Sequence, residues 1–275
     1  MNEQQRKAII QETFNTVSSG YDGLPLRFFP ESAGLLAKSL GLRGDEHVLD
    51  VATGTGNAAM AVADHLPQGR VTGIDFSAGM LEQARNKAAS RQVRNVEFIE
   101  QDMQALGFPA DHFDAAVCSF GLFFLDDMDA QLARIAATVK PGGKIAITGF
   151  QESYFRPMVD LMFKRLAGYG VQKPPQAWLR IATEAGCKDL FSQAGLVDIR
   201  VQEENVGYYL KTAEDWWYVV WNAGFRRLVR QLSEENQERF KRDHLEEVET
   251  LRTKDGIWLD VGVLFTIGTK PPARQ

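Results

Sequence analysis

Short apolar runs alternate with longer mixed stretches through the first half of the chain. HVLDVA (47–52), RVTGID (70–75), NVEFIEQD (95–102), FDAAVCSF (113–120) and KIAITGF (144–150) are brief and bounded by turn residues. That pattern predicts strands. The intervening segments predict helices from near Asn57, over about 78–91 and over about 127–139, with Lys140-Pro141-Gly142-Gly143 reading as a turn. Near-continuous apolar strands separated by helices imply a parallel sheet covered on both faces.

The second half has a different texture. It predicts helices over 153–168 and 183–195, a Pro174-Pro175 loop between them, and a strand over 197–209. A helical block follows from 213 to about 252, and a last strand covers 257–269. Thr212 and Asp215 have capping-box spacing, which opens that block. Leu228, Leu232, Phe240, His244, Val248 and Leu251 fall near spacings of three and four, one amphipathic face. Over 226–254, eight Lys/Arg nearly cancel seven Asp/Glu, which suits a solvated outer face and not a basic patch. The closing PPARQ reads as a loose tail.

Composition narrows the classes. At 275 residues, 44% apolar and 24% charged, the chain has ordinary globular chemistry and length for one large domain. A net charge of −5 argues against a general grip on nucleic acid. Cys118 and Cys187 cannot build a disulfide framework or a Cys-rich zinc site, so a reducing, cytoplasmic setting is expected. The N-terminus has no apolar signal region, no run of 18 apolar residues predicts a membrane span, and no metal site is expected.

The informative stretch is Val48-Leu49-Asp50-Val51-Ala52-Thr53-Gly54-Thr55-Gly56-Asn57, a strand running through a glycine loop into a helix. Glycines let the backbone turn tightly and approach a ligand, and the helix N-terminus offers free N–H groups. Asp75 ends the next strand, where a carboxylate can accept from two ribose hydroxyls. The glycines alone do not separate an NAD loop from others, because Ala59 can stand in for a third glycine. Asp50 does: a carboxylate beside the loop is unfavourable for a pyrophosphate and suits a cofactor bearing an ammonium and a sulfonium. Gln101-Asp102-Met103 ends the third strand, where Asp102 reads either as a strand-end polar residue or as an acceptor for an adenine amino group.

These residues, with Asp75-Phe-Ser-x-x-Met80, Phe113-Asp114 and Lys140-Pro-Gly-Gly143, resemble the class I S-adenosylmethionine (SAM)-dependent methyltransferases. The nearest branch is that of the ubiquinone/menaquinone-biosynthesis C-methyltransferases, whose loop often reads DVATGTG. The resemblance covers roughly residues 10–150 and implies a Rossmann-like, mostly parallel seven-stranded sheet. Its last strand is antiparallel, helices cover both faces, and a helical lid is added. On that frame the chain is one domain. Residues 1–45 form an N-terminal helical cap and 46–150 the SAM-binding core. Residues 151–182 and 210–255 form a substrate-side lid, and 183–209 and 256–270 supply the final strands.

The resemblance also implies roles. Asp50, Ala52, Thr53, Gly54 and Gly56 hold the methionine part of SAM, and Asp75 the ribose. Phe76 and Met80 flank the adenine, with Gln101, Asp102 and Met103 at its edge. Ser119 and Phe120 lie under the methionine moiety and face the acceptor, and Phe14 and Tyr21 close over the cofactor. One departure stands out. Many relatives read Ser-x-x-Leu-His-His after strand 4, and this chain reads Ser119-Phe-Gly-Leu122-Phe123-Phe124, so no histidine base and no catalytic residue is named.

A small apolar or aromatic acceptor is expected, from three aromatic walls. These are Phe14, Tyr21, Phe28 and Phe29; Phe150, Tyr154, Phe155, Met158 and Met162; and Trp216, Trp217, Trp221 and Phe225. Phe123, Phe124 and the Trp216 run read equally as core packing, and His244 as a structural histidine. Two other readings remain: a SAM-binding protein without methylating activity, and a nicotinamide-dependent oxidoreductase. DNA amino-methylation is disfavoured, because strand 4 ends in Cys118-Ser-Phe-Gly121 and not in an Asn/Asp-Pro-Pro-aromatic clamp.

Overall fold

A computed structural model describes residues 3–174 and 176–273. The Pro174-Pro175 loop and the PPARQ tail lie partly outside them. Five strands, β1 (His47–Val51), β2 (Arg70–Asp75), β3 (Val96–Glu100), β4 (Phe113–Ser119) and β5 (Val139–Phe150), pair in parallel in the order β3-β2-β1-β4-β5. β9 (Gly262–Thr269) then runs antiparallel to β5, and β6 (Val197–Asn205) antiparallel to β9, completing seven strands. The expected fold class and the antiparallel last strand are both present.

Each of the last two expected strands breaks in two. Residues 197–209 split at Val206-Gly207, and 257–269 at Asp260-Val261. The detached pieces, β7 (Tyr208–Leu210) and β8 (Ile257–Leu259), form their own two-stranded ladder. The expected 140–143 turn is instead carried inside β5. Phe113 pairs with Val139 and Ala115 with Lys144, so the extra residues bulge out of the ladder.

Period-2 alternation sorts the strand side chains onto two faces. Ala115, Val117, Ala146, Val263 and Phe265 enter one core, and Ala116, Cys118, Ile145, Ile147 and Leu264 the other. The second face is covered by α5 (Met128–Thr138) and α7 (Glu184–Gln193). The first carries α2 (Phe28–Leu40) and α3 (Asn57–Ala63), then a further layer of α6 (Met158–Gly168), α8 (Ala213–Asn222), α9 (Arg226–Val229) and α10 (Glu234–Glu249). Thr212 and Asp215 close the expected capping box at α8. Trp216 is fully buried and donates to His244 Nε2 at 2.8 Å. α4 (Ala78–Ser90) follows β2, and α1 (Glu3–Val17) lies across α4.

Candidate functional site

The strand order reverses direction between β1 and β4, which opens a crevice at the carboxyl ends of the strands, where open α/β sheets bind ligands. All the candidate cofactor residues except Asp50, Thr53 and Gly56 line one cavity of about 310 Å³ there. Asp50 and Thr53 line a smaller lobe of about 40 Å³, which shares Tyr21, Ala52, Gly54, Ser119 and Phe120 with the larger cavity. Gly56 lines neither. It caps α3 at φ +80°, a conformation glycine adopts without strain, and its N–H bonds the Thr53 carbonyl at 2.8 Å. A Cβ there would meet Phe98, Ala84 and Met60, so its part is to let the helix pack close beneath the loop.

Asp50 and Asp75 are buried carboxylates with different surroundings. Asp75 is held by two backbone donors at 2.9 Å each, Gly54 N–H on Oδ2 and Ser77 N–H on Oδ1. Each oxygen keeps a lone pair for a ligand hydroxyl. Burial raises its pKa, and those donors oppose the rise. Asp50 Oδ2 accepts from Thr53 Oγ1 at 2.5 Å, while Oδ1 is buried with no hydrogen-bond partner in the protein. Burial pushes the Asp50 carboxyl up to about 7, against the Thr53 bond and the Ala59 backbone N–H that faces the carboxylate from the start of α3. A carboxylate buried this completely is costly to ionise, and a cationic ligand group in the small lobe would reduce that cost.

Two of the six non-glycine left-handed backbones among the described residues lie at the same place. Ala52 and Phe120 both have left-handed backbones, at φ 56° and 54°, although neither is glycine. Such residues cost of the order of 1 kcal/mol each and cluster at ligand sites. Phe120 is fixed by its N–H to Thr148 Oγ1 at 3.1 Å, and Ser119 Oγ lies 3.0 Å from the same hydroxyl.

Helix α1 closes the cavity, a role only Phe14 signalled in the sequence. Arg6, Lys7 and Ile10 also line it. Arg6 pairs with Asp126 and Lys7 with Asp102, the residue expected at the adenine edge. Asn15 Oδ1 accepts from Ser77 Oγ at 2.6 Å and Gly79 N–H at 3.0 Å, tying α1 to the start of α4. Nothing in the sequence beyond a polar, helix-forming stretch marks Arg6 or Lys7, because their partners lie about 100 residues away.

The aromatic walls divide. Phe14 and Tyr21 line the main cavity, Phe29 the small lobe, and Phe124 packs edge-on to Phe14 at 5.2 Å. Phe28, Phe150, Tyr154, Phe155, Met158, Met162, Trp216, Trp217, Trp221 and Phe225 line neither space and pack in or against the first core. Two of the three expected walls are therefore packing, as is Phe123. No described residue of 151–182 or 210–255 touches either cavity. Burial pushes the Cys118 thiol up to about 12, so it is no nucleophile. Among the described residues no group of His, Cys, Asp and Glu could hold a metal ion.

A family model described as a methyltransferase domain matches residues 48–143. The chain is 37% identical over 150 residues to the aklanonic acid methyltransferase DauC of Streptomyces sp. (strain C5), covering 54% of this chain and 68% of that one. It is 28% identical over 216 residues to the demethylmenaquinone methyltransferase of Lactococcus lactis, covering 72% and 86%. Among solved structures, the YcgJ protein of Bacillus subtilis shares the fold at a TM-score of 0.60 and 21% identity, covering 88% of this chain and 99% of that one. A [4+2]-cyclase, SpnF, shares it at 0.56 and 21%, covering 89% and 81%. A common fold does not by itself fix a chemistry. The domain match and the relatives' identity do place the protein: the chain belongs to the class I SAM-dependent methyltransferases.

Proposed function

We propose that this chain binds SAM in the two-lobed cavity and transfers its methyl group to a small, apolar or aromatic acceptor. The observation that carries the reading is the fully buried Asp50 carboxylate lining the small lobe beside the glycine loop. It suits the ammonium of a methionine moiety and repels a pyrophosphate, which sets the nicotinamide reading aside. Asp50, Ala52, Thr53 and Gly54 would hold the methionine part, with Gly56 shaping the loop from behind. Asp75 would accept from the ribose hydroxyls. Phe76 and Met80 would sandwich the adenine, with Gln101, Asp102 and Met103 along its edge. Ser119, Phe120, Phe14 and Tyr21 would enclose the reacting end.

SAM, when bound, supplies a methyl group on a sulfonium. The protein's part is alignment and exclusion of water. No proton acceptor is assigned. Asp75 is given to the ribose hydroxyls and Asp102 is paired with Lys7, and burial together with Asp75 and Asp22 pushes the Tyr21 hydroxyl upward, so it stays protonated. The acceptor therefore brings its own lone pair or ionises easily. Ile10, Phe14, Phe120, Phe124 and Leu125 support an apolar acceptor, and relatives named for aklanonic acid and demethylmenaquinone support a small molecule, not nucleic acid. Two free, buried thiols suit a reducing cytoplasm, and no described helix is long and apolar enough to cross a membrane.

The test is transfer of radiolabelled methyl from SAM to a panel of phenols, quinols and polar amines. Label in the aromatic members is expected. Label in amines alone would overturn the acceptor class. Label in none, with S-adenosylhomocysteine still binding, would favour a cofactor-binding protein that does not methylate.

A further inference from the structure

The turn from Gly20 to Gly23 is held from both sides, and of the side chains that hold it only Thr55 and Asn57 line a cavity, the small lobe. On one side Asp22 meets the glycine loop and α4. Its Oδ2 pairs with Lys87 Nζ at 2.8 Å, and its Oδ1 accepts from Thr55 Oγ1 at 2.8 Å and Asn57 Nδ2 at 3.2 Å. Lys87 Nζ also donates to Asn57 Oδ1 at 2.8 Å and to Thr55 Oγ1 at 3.2 Å. Four side chains from three segments thus satisfy one another, with Lys87 largely out of solvent. On the other side the Tyr218 hydroxyl of α8 donates to the Gly20 carbonyl at 2.8 Å. A Cβ on Gly23 would lie 2.3 Å from that hydroxyl, so only glycine lets the turn press against α8.

Between these holds sits Tyr21. It lines both lobes and stacks on Phe29 with ring centroids 4.7 Å apart. Asp22 itself lines neither lobe. Its carboxylate is adjacent in sequence to the residue that roofs the Asp50 lobe, and its charge partner lies on a helix that begins just after Asp75.

We propose that Asp22 and Lys87 are positioning residues. The pair fastens the Gly20–Gly23 turn to the glycine loop, and so holds Tyr21 over the lobe that contains Asp50. The inference rests on the cofactor reading above. Charge-assisted bonds in a half-buried network are directional and are lost together when one member is removed. Breaking this one frees the turn, and Tyr21 no longer closes the lobe.

The experiment is release of radiolabelled S-adenosylhomocysteine, chased with excess unlabelled compound, from the full-length protein. Asp22→Asn and Lys87→Gln are each expected to speed release roughly tenfold, and the double variant no more than the faster single, because one interaction is lost either way. In a Tyr21→Ala background, Asp22→Asn should add nothing, whereas a merely structural staple would still act there. Asp22→Glu should recover part of the slow release. Unchanged release, effects that multiply in the double variant, or a full Asp22→Asn effect in the Tyr21→Ala background would each overturn the proposal. If the wild type binds no S-adenosylhomocysteine, the cofactor reading fails instead. The fastening is then read from hydrogen exchange at the Tyr21 and Gly23 amides, which Asp22→Asn should accelerate roughly tenfold. No acceleration would sink it on its own account.

Discussion

The sheet-end crevice and the outer helical layer are both rich in apolar side chains, yet they use them differently. In the crevice, aromatic side chains such as Phe14, Tyr21 and Phe120 line open space beside the buried Asp50 and Asp75 carboxylates, on loops where Ala52 and Phe120 have left-handed backbones. In the outer layer, Trp216 is fully buried with its N–H given to His244 and packs against Phe155 and Phe225; that layer has its own left-handed backbone at Phe155 and its own buried unpartnered atoms, Arg165 Nε, Arg226 Nε and His244 Nδ1, but neither cavity reaches it. Strain and unpartnered atoms therefore do not by themselves mark a site; open space beside buried carboxylates does.

Substitutions should separate the two regions. Trp216→Ala is expected to cost ~3–5 kcal/mol in chemical denaturation, from the cavity it leaves, while affinity of the folded fraction for S-adenosylhomocysteine stays within twofold. A loss of affinity without loss of stability would make Trp216 a wall after all.

Asp50→Asn should do the reverse, weakening S-adenosylhomocysteine by about 100-fold in calorimetry. It should also stabilise the free protein at pH 8. The Asp50 carboxyl is raised to about 7 in the fold, so its contribution to stability is present below the ordinary carboxylate range and lost as pH rises through about 7. The amide escapes that loss. The same sign makes wild-type affinity rise between pH 6 and pH 8, as the carboxylate forms. Asp75→Asn, which keeps the shape but halves the acceptor capacity, should weaken binding roughly tenfold.

The smallest effect concerns His244. Burial lowers its pKa from 6.5 to about 4, so its neutral form adds stability above pH 6.5 that is lost as pH falls toward 4. His244→Gln keeps an acceptor for Trp216 and should make the acid limb of a pH–stability curve shallower, leaving binding untouched.

What the sequence could reveal follows from how local each signal is. The five parallel strands and the Asp50–Gly56 and Asp75 positions rest on short patterns, and they fall where expected. Lys140–Gly143 reads as a turn from its glycines, but ladder pairing across Phe113 and Lys144 absorbs it as a bulge. Tyr154, Phe155 and Trp216 have the same spacing whether they face a ligand or a helix, and only the third dimension decides. Arg6, Lys7, Asp22 and Lys87 carry no pattern at all. Their importance comes from partners on other elements, and ion pairs of that kind have no sequence period.

The most direct measurement is calorimetric titration of the purified protein with S-adenosylhomocysteine at pH 6 and pH 8, with NADH run alongside. Micromolar binding of S-adenosylhomocysteine that tightens at the higher pH, disappears in Asp50→Asn and has no counterpart with NADH is expected. NADH binding in its place, or S-adenosylhomocysteine binding indifferent to Asp50→Asn, would contradict the role given to the buried carboxylate and with it the reading of the site.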